Sequence, residues 1–191
     1  MQHNERADVL EAFRGADWHM RPAVSAADQT TALRLLRFSS IMSTAVAMTA
    51  AVAHLLELPA KRRYEASLYV RLHRTLYWNF GRIAGPAESV AVLTTGVLAW
   101  WRRRREATAF PATAVAAGCL GAAHGTFWTI VNPVNVEMVR WPLDAIPRNW
   151  ATARDRWEYG HAVRACLLAG ALAALVWPTV DDASDCSRTS A

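Results

Sequence analysis

Four apolar stretches, roughly Leu35–Leu58, Ile83–Trp101, Pro111–Val131 and Trp157–Trp177, decide what this chain can fold into. Each is about 20 residues long, which is what a helix needs to cross the ~30 Å hydrocarbon core of a bilayer. Val90–Trp101 and Pro111–Val131 carry Ala, Val, Leu and Gly on all sides, with none of the polar–apolar alternation of a soluble bundle helix. A chain in lipid must satisfy its backbone internally, so these stretches predict helices. The mean hydropathy of +0.06 is low only because charge is segregated. It crowds into the first 37 residues, the turns and the tail.

The predicted fold is therefore all-α: an integral membrane four-helix bundle over residues 32–178. A polar, mobile N-terminal segment (1–31) and a disordered tail (179–191) flank it. Between spans 1 and 2, Tyr64, Leu68, Leu72 and Leu76 recur every four residues among Lys61, Arg62, Glu65, Arg71 and Arg74. That pattern predicts an additional amphipathic helix in the interface plane, with His73 an interface residue. Pro59 ends the first span, and the third ends near Asn132-Pro133. Gly118, Gly121 and Gly125 suggest a close-packing face. The Trp- and Pro-rich stretch from Asn132 to Arg156 is expected to cap the bundle.

The net charge of +5 does not point to nucleic acid. Its densest run, Arg102–Arg105, directly follows Trp100 and Trp101 and reads as a short cytoplasmic turn beside an aromatic belt. The expected partners are the lipid bilayer and an apolar small molecule. The same charges place both termini in the cytoplasm, with a bacterial inner membrane as the expected location. Cys119 and Cys166 lie in apolar helices, and no zinc spacing exists. The N-terminus does not read as a signal peptide, because Asp8, Glu11 and Asp17 interrupt it.

Ionisable groups inside the spans share one depth. His54 and Glu57 close span 1, Glu88 opens span 2, His124 lies near the end of span 3, and Glu158, His161 and Arg164 open span 4. In an antiparallel bundle these positions fall roughly 6–10 Å below one surface at 1.5 Å per residue. Charge in a bilayer is costly, so the coincidence marks a site. His54, His161, Arg164 and Glu88 are candidate site residues, and Arg164 with Glu88 or Glu57 reads equally as a buried ion pair holding two helices together. Alternatively His54, His124, His161, Glu57 and Glu158 hold iron or another divalent metal, since Glu158 and His161 stand i,i+3 as in bundle metal sites. The spacing leaves a metal-free site, a haem held by two histidines and purely structural ion pairs open as well.

The segments His54-Leu-Leu-Glu-Leu-Pro-Ala-Lys61, Tyr77-Trp-Asn-Phe-Gly81 and Asn132-Pro-Val-Asn135, and above all Arg154-Asp-Arg156-Trp157-Glu158-Tyr-Gly-His161-Ala-Val-Arg164, resemble the anthrone-oxygenase-like family of four-helix membrane proteins. The resemblance covers about residues 35–176. It implies oxygenase or oxidoreductase chemistry on an apolar aromatic substrate: His161 or His54 removes a benzylic proton, Arg164 stabilises the oxyanion, and aromatic residues hold the flat ring. The substrate pocket expected with it is Trp78, Asn79, Trp128, Asn132, Asn135 and Trp157. The competing expectation is a non-enzymatic membrane protein, a ligand or lipid binder or a complex subunit.

Overall fold

The structure is a computed structural model that describes residues 26–106 and 108–188, with side chains for 27–77, 79–106 and 108–180. The chain divides into two units, Met1–Leu33 and Arg34–Ala191. Of the first, only the opening turns of one helix are described, where Thr31 Oγ1 donates to the Ala27 carbonyl at 3.1 Å. The second holds the bundle.

The described residues form helices α1 (Ala26–Lys61), α2 (Ala66–Leu72), α3 (Trp78–Arg105), α4 (Phe110–Thr126), α5 (Asn132–Arg140) and α6 (Trp150–Arg188). A π-helical turn, His73–Tyr77, joins α2 to α3, and a second, Phe127–Val131, joins α4 to α5. Four helices are long and apolar enough to cross a membrane: Ala27–Lys61, Asn79–Arg105, Phe110–Arg140 and Trp150–Val180. The expected all-α four-helix bundle is the observed one. The boundaries expected at 31/32 and 178/179 fall inside α1 and α6, and residues 1–25 and 189–191 lie outside the described residues.

Chemistry suited to lipid runs through α1. Ser40 donates to the Leu36 carbonyl at 2.9 Å, Thr44 to Ser40 at 2.7 Å and Thr49 to Ala45 at 2.8 Å, so these hydroxyls need no water. Outward positions carry large apolar groups: Leu35, Phe38, Ile83, Leu93 and Trp177 are exposed. Inward positions are small, with Ala47, Ala51, Ala91, Ala116, Ala123, Ala165 and Ala171 buried around Leu98, Leu120 and Leu168. Small residues let helix backbones approach closely where lipid offers no hydrophobic drive.

Three expectations need correction. The packing face of α4 is Ala116, Leu120 and Ala123; a Cβ placed on Gly118, Gly121 or Gly125 would meet nothing within 4 Å. Close approach belongs instead to Gly160, where an added Cβ would lie 2.8 Å from Val131 Cγ2. The third span does not stop at Pro133. Proline removes the amide that would bond the Thr129 carbonyl, and Arg156 Nη2 donates to that carbonyl at 3.3 Å, so the helix continues to Arg140.

The segment before span 2 is helical but buries a different face from the one its leucines suggest. Leu68 and Leu76 are exposed, whereas Tyr69, Val70, His73 and Tyr77 are buried. Tyr69, Val70 and Tyr77 pack with Val131, Val134, Met138, Trp141 and Trp157 into one cluster, so α2, α5 and the loop after it close one end of the bundle, as the Trp- and Pro-rich stretch led one to expect. At the other end Glu106 accepts from Arg37 at 2.9 Å and forms an ion pair with Arg102 at 3.4 Å, while Arg102 Nη1 donates to Thr113 at 2.6 Å. Arg102 is thus a buried clamp between α1, α3 and α4, rather than one more surface charge of a turn.

Candidate functional site

A cavity of about 660 Å³ opens inside the capped end of the bundle. Its wall on α1 and α3 is made of Ala47, Ala50, Ala51, Gly81, Ala84 and Gly85. Their missing side-chain volume is the cavity: a Cβ on Gly81 or Gly85 would meet nothing within 4 Å. Phe80, Phe127, Trp128 and Trp157 supply aromatic walls. His54, Glu88, His124, His161 and Arg164 all line this one space. The depth coincidence in the sequence is therefore a spatial one.

Two polar networks meet at its floor. In the first, Glu88 is buried between two partners. One oxygen accepts from Arg164 Nη2, and the other lies 3.2 Å from His124 Nδ1. Arg164 Nη1 donates to His161 Nδ1 at 3.2 Å, and its Nε is buried without a partner. His124 Nε2 accepts from Trp128 Nε1 at 3.0 Å. The Arg164 guanidinium also sits over the Phe127 ring at 5.1 Å.

The second network centres on Lys61, which is 1% exposed. Its Nζ lies 3.1 Å from His54 Nδ1, 3.1 Å from Glu57 Oε2 and 3.4 Å from Glu158 Oε2. Three acceptors match the three donors of an ammonium group. The Tyr77 and Trp157 rings cover it at 4.5 and 5.1 Å. Tyr69 donates to Glu158 Oε1 and Tyr77 to Glu57 Oε2, each at 2.9 Å. Burial first, and then the adjacent carboxylates, pushes both phenols above their ordinary range, so both remain donors. The networks touch through the His54 and His161 rings, whose centroids are 4.2 Å apart.

These bonds fix the histidine tautomers. His54 and His161 each accept at Nδ1 from a cation, so each neutral ring carries its proton on Nε2. Both rings are donors toward the cavity. His124 is the reverse case: its Nδ1–H donates to the Glu88 carboxylate and its Nε2 accepts. A carboxylate behind Nδ1 with the lone pair at Nε2 is the arrangement of a general base, and here the Trp128 indole occupies that lone pair. Among His54, His124 and His161, it is His124 whose Nδ1 meets a carboxylate within hydrogen-bonding distance.

The expected metal set is not assembled. Among the described residues no group of three or more His, Cys, Asp or Glu could hold an ion. The reason is pairing: Lys61 holds Glu57 and Glu158 behind His54, outside the cavity lining, while His124 is committed to Glu88. Of the expected pocket, Trp128, Asn132, Asn135 and Trp157 do line the cavity, with Trp157 Nε1 donating to Asn135 Oδ1 at 2.6 Å. Asn79 is exposed and does not, because its neighbour Phe80 is the residue turned toward His54, at 5.5 Å between rings. The Trp78 side chain lies outside the described residues.

Sequence reasoning assigned no role at the site to Lys61 or His73. His54, Glu57 and Lys61 stand at i, i+3 and i+7, and Tyr69, His73 and Tyr77 at i, i+4 and i+8, so both helical stripes were there to be read. His73 is buried, lines the cavity and has an unpartnered Nδ1. Burial, with Lys61 and Arg74 nearby, holds its imidazole down at about 4.

Comparison with known proteins finds no match to this chain among family models, curated proteins or solved structures.

Proposed function

We propose that this integral membrane protein is an oxygenase of the anthrone-oxidising kind. The observation that carries the reading is the division of roles around one cavity. One imidazole, His124, is arranged to accept a proton, while His54 and His161, each held at Nδ1 by a cation, keep their Nε2–H groups as donors on the same floor. A cavity of about 660 Å³ with aromatic walls suits a flat apolar molecule of a few fused rings.

In this reading the substrate carries an acidic CH₂ beside a ring carbonyl, and dioxygen is the co-substrate. The Trp128 indole gives up its bond to His124 Nε2, which then takes one CH₂ proton. The electron pair moves onto the carbonyl oxygen, and the Arg164 guanidinium with the histidine Nε2–H donors stabilises that oxyanion. The carbanionic carbon passes an electron to dioxygen and recombines, forming a C–O bond, and the peroxide anion takes back the proton held by His124 to become a hydroperoxide. The hydroperoxide loses water across its O–O bond as the second hydrogen leaves the carbon. Overall, CH₂ and O₂ become C=O and H₂O, with carbon oxidised and oxygen reduced. The Arg102–Arg105 run supports cytoplasmic termini in a bacterial inner membrane, with the cavity near the opposite face.

The test is oxygen consumption by the purified chain in lipid nanodiscs with unsubstituted anthrone, alongside metal content and an optical spectrum. One O₂ should disappear per anthraquinone formed. His124→Ala should slow this by about 10²–10⁴-fold with helix content unchanged. No acceleration over protein-free nanodiscs, or a fully active His124→Ala, overturns the proposal. One observation favours a non-enzymatic binder instead: Lys61, Glu88, Glu158 and Arg164 are already paired. That reading expects anthrone to bind without oxygen uptake.

A further inference from the structure

The floor of the cavity is balanced in charge, but its outer part is not. Arg74, Arg82 and Arg140 all line it. Among the described residues no carboxylate pairs with any of the three. Glu137, one turn before Arg140, does not line the cavity. Arg74 spends Nη2 on the Met138 carbonyl at 3.1 Å and on the Trp141 carbonyl, which ties it to the end of α5 where Arg140 stands. Its Nε is buried and unpartnered. The His73 Nδ1 beside it is also unpartnered, on a ring only 5% exposed. Both atoms lie behind the cavity surface, where polar atoms are usually bonded, so the wall itself has donors to spare. Arg82 and Arg140 are exposed, and each offers a whole guanidinium.

We infer that the outer cavity is an anion site, and that the natural ligand is an amphipathic acid: a carboxylate or phosphate held by Arg74, Arg82 and Arg140, with an apolar body lying inward against the Ala/Gly wall. Asn132 and Asn135, also in the lining, add neutral polar groups along the way. The dimensions agree. Arg74 and Glu88 are separated by fourteen residues of continuous helix, roughly 20 Å at 1.5 Å per residue. A single ligand can therefore reach the His124 floor while its charge stays at the mouth, where water screens the cost of carrying it inward. The inference deepens the proposed function by naming the substrate class, but it rests on the outer cavity and needs no turnover.

The anionic group can belong to a free acid or to a lipid headgroup, and one experiment covers both. The full chain is placed in zwitterionic nanodiscs, and binding of 1-pyrenebutyrate, its methyl ester and 1-pyrenebutylamine is followed by quenching of tryptophan fluorescence. The acid should bind about tenfold or more tighter than the ester, and the amine weaker than either. The Arg82→Gln/Arg140→Gln double variant should bring acid and ester to near-equal affinity while leaving the ester unchanged. Arg103→Gln, outside the cavity, should preserve the preference. Equal affinity in the wild type, or an undiminished preference in the double variant, overturns the inference. Adding phosphatidylglycerol to the nanodiscs then separates the sources: displacement of 1-pyrenebutyrate assigns the site to a lipid headgroup, and undisturbed binding assigns it to a free acid. Absent oxygen uptake with the acid preference intact would sink the oxygenase reading and leave the anion site standing.

Discussion

Lys61→Met isolates the energetics of the buried network with little change in side-chain volume. The wild-type ammonium has three partners within 3.4 Å and is 1% exposed. Removing it leaves Glu158, itself 3% exposed, with Tyr69 as its one remaining donor. Glu57 loses less, because its side chain is 37% exposed and water can replace the ammonium. Breaking a buried pair by deleting one member costs about 3–5 kcal/mol, since a buried charge is stranded. Glu57→Gln alone should cost under about 1 kcal/mol, because a half-exposed pair is screened. The decisive variant is Lys61→Met/Glu158→Gln, which removes the stranded carboxylate and should recover about 2 kcal/mol or more. Unfolding by sodium dodecyl sulfate titration in mixed micelles, followed by far-ultraviolet circular dichroism, gives all four free energies. A Lys61→Met loss below about 1 kcal/mol, or a double variant no more stable than the single, would refute the claim that Lys61 exists to neutralise Glu158.

Three further outcomes follow from other positions. His73 sits near 4 in the folded chain against about 6.5 when unfolded, so the unfolded state binds the extra proton between those values. Its contribution is full above pH 6.5 and falls by up to about 1.4 kcal/mol per pH unit as pH drops toward 4, and His73→Phe should flatten that slope in unfolding measured across pH. Gly81→Leu places its side chain in open cavity space, so it should raise stability by about 0.5–1 kcal/mol through helix propensity while abolishing binding of pyrene probes. Gly160→Ala should do the opposite. Its methyl would press on the β-branched Val131 at 2.8 Å, costing about 1–3 kcal/mol in the same unfolding assay.

Depth was legible in the sequence because it needs only the helical rise. Counting residues from each span's end placed His54, Glu88, His124, His161 and Arg164 on one level, and all five line one cavity. Rotation about the helix axis was harder to read. A helix that is apolar all round carries no polar face to mark its outside, so the glycines of α4 were as plausible a contact face as Ala116, Leu120 and Ala123. In the segment before span 2 the leucines offered a regular four-residue stripe, and lipid accepts leucine as readily as a core does. The aromatic stripe of Tyr69, His73 and Tyr77 went inward because its polar atoms find partners or cavity there and would find none in lipid. Lys61 was misread for a similar reason. A cation just after Pro59 fits the membrane interface, and only the carboxylates brought from Glu57 and, across the bundle, Glu158 make its burial tolerable.

The cations of this site fix the histidine tautomers as well as balancing charge. A histidine backed by a carboxylate becomes a base, whereas one backed by an ammonium or guanidinium becomes a donor, because its Nδ1 lone pair is already used. Lys61 and Arg164 put His54 and His161 in the second class, and Glu88 puts His124 in the first. Since Glu88 also accepts from Arg164, one carboxylate links the acceptor side of the floor to the donor side. Glu88→Gln should therefore damage both at once. The neutral amide no longer favours the His124 tautomer with an unprotonated Nε2, and it releases the guanidinium that orients His161. Arg164→Gln should spare the His124–Glu88 contact and remove only the donors. If the proposed chemistry is right, oxygen uptake by Glu88→Gln should fall further than that of Arg164→Gln, and combining the two should add little to Glu88→Gln alone, because groups that act as a unit do not lose activity additively. Independent, multiplicative losses would mean that the two sides of the floor work separately and that their bridging carboxylate is structural.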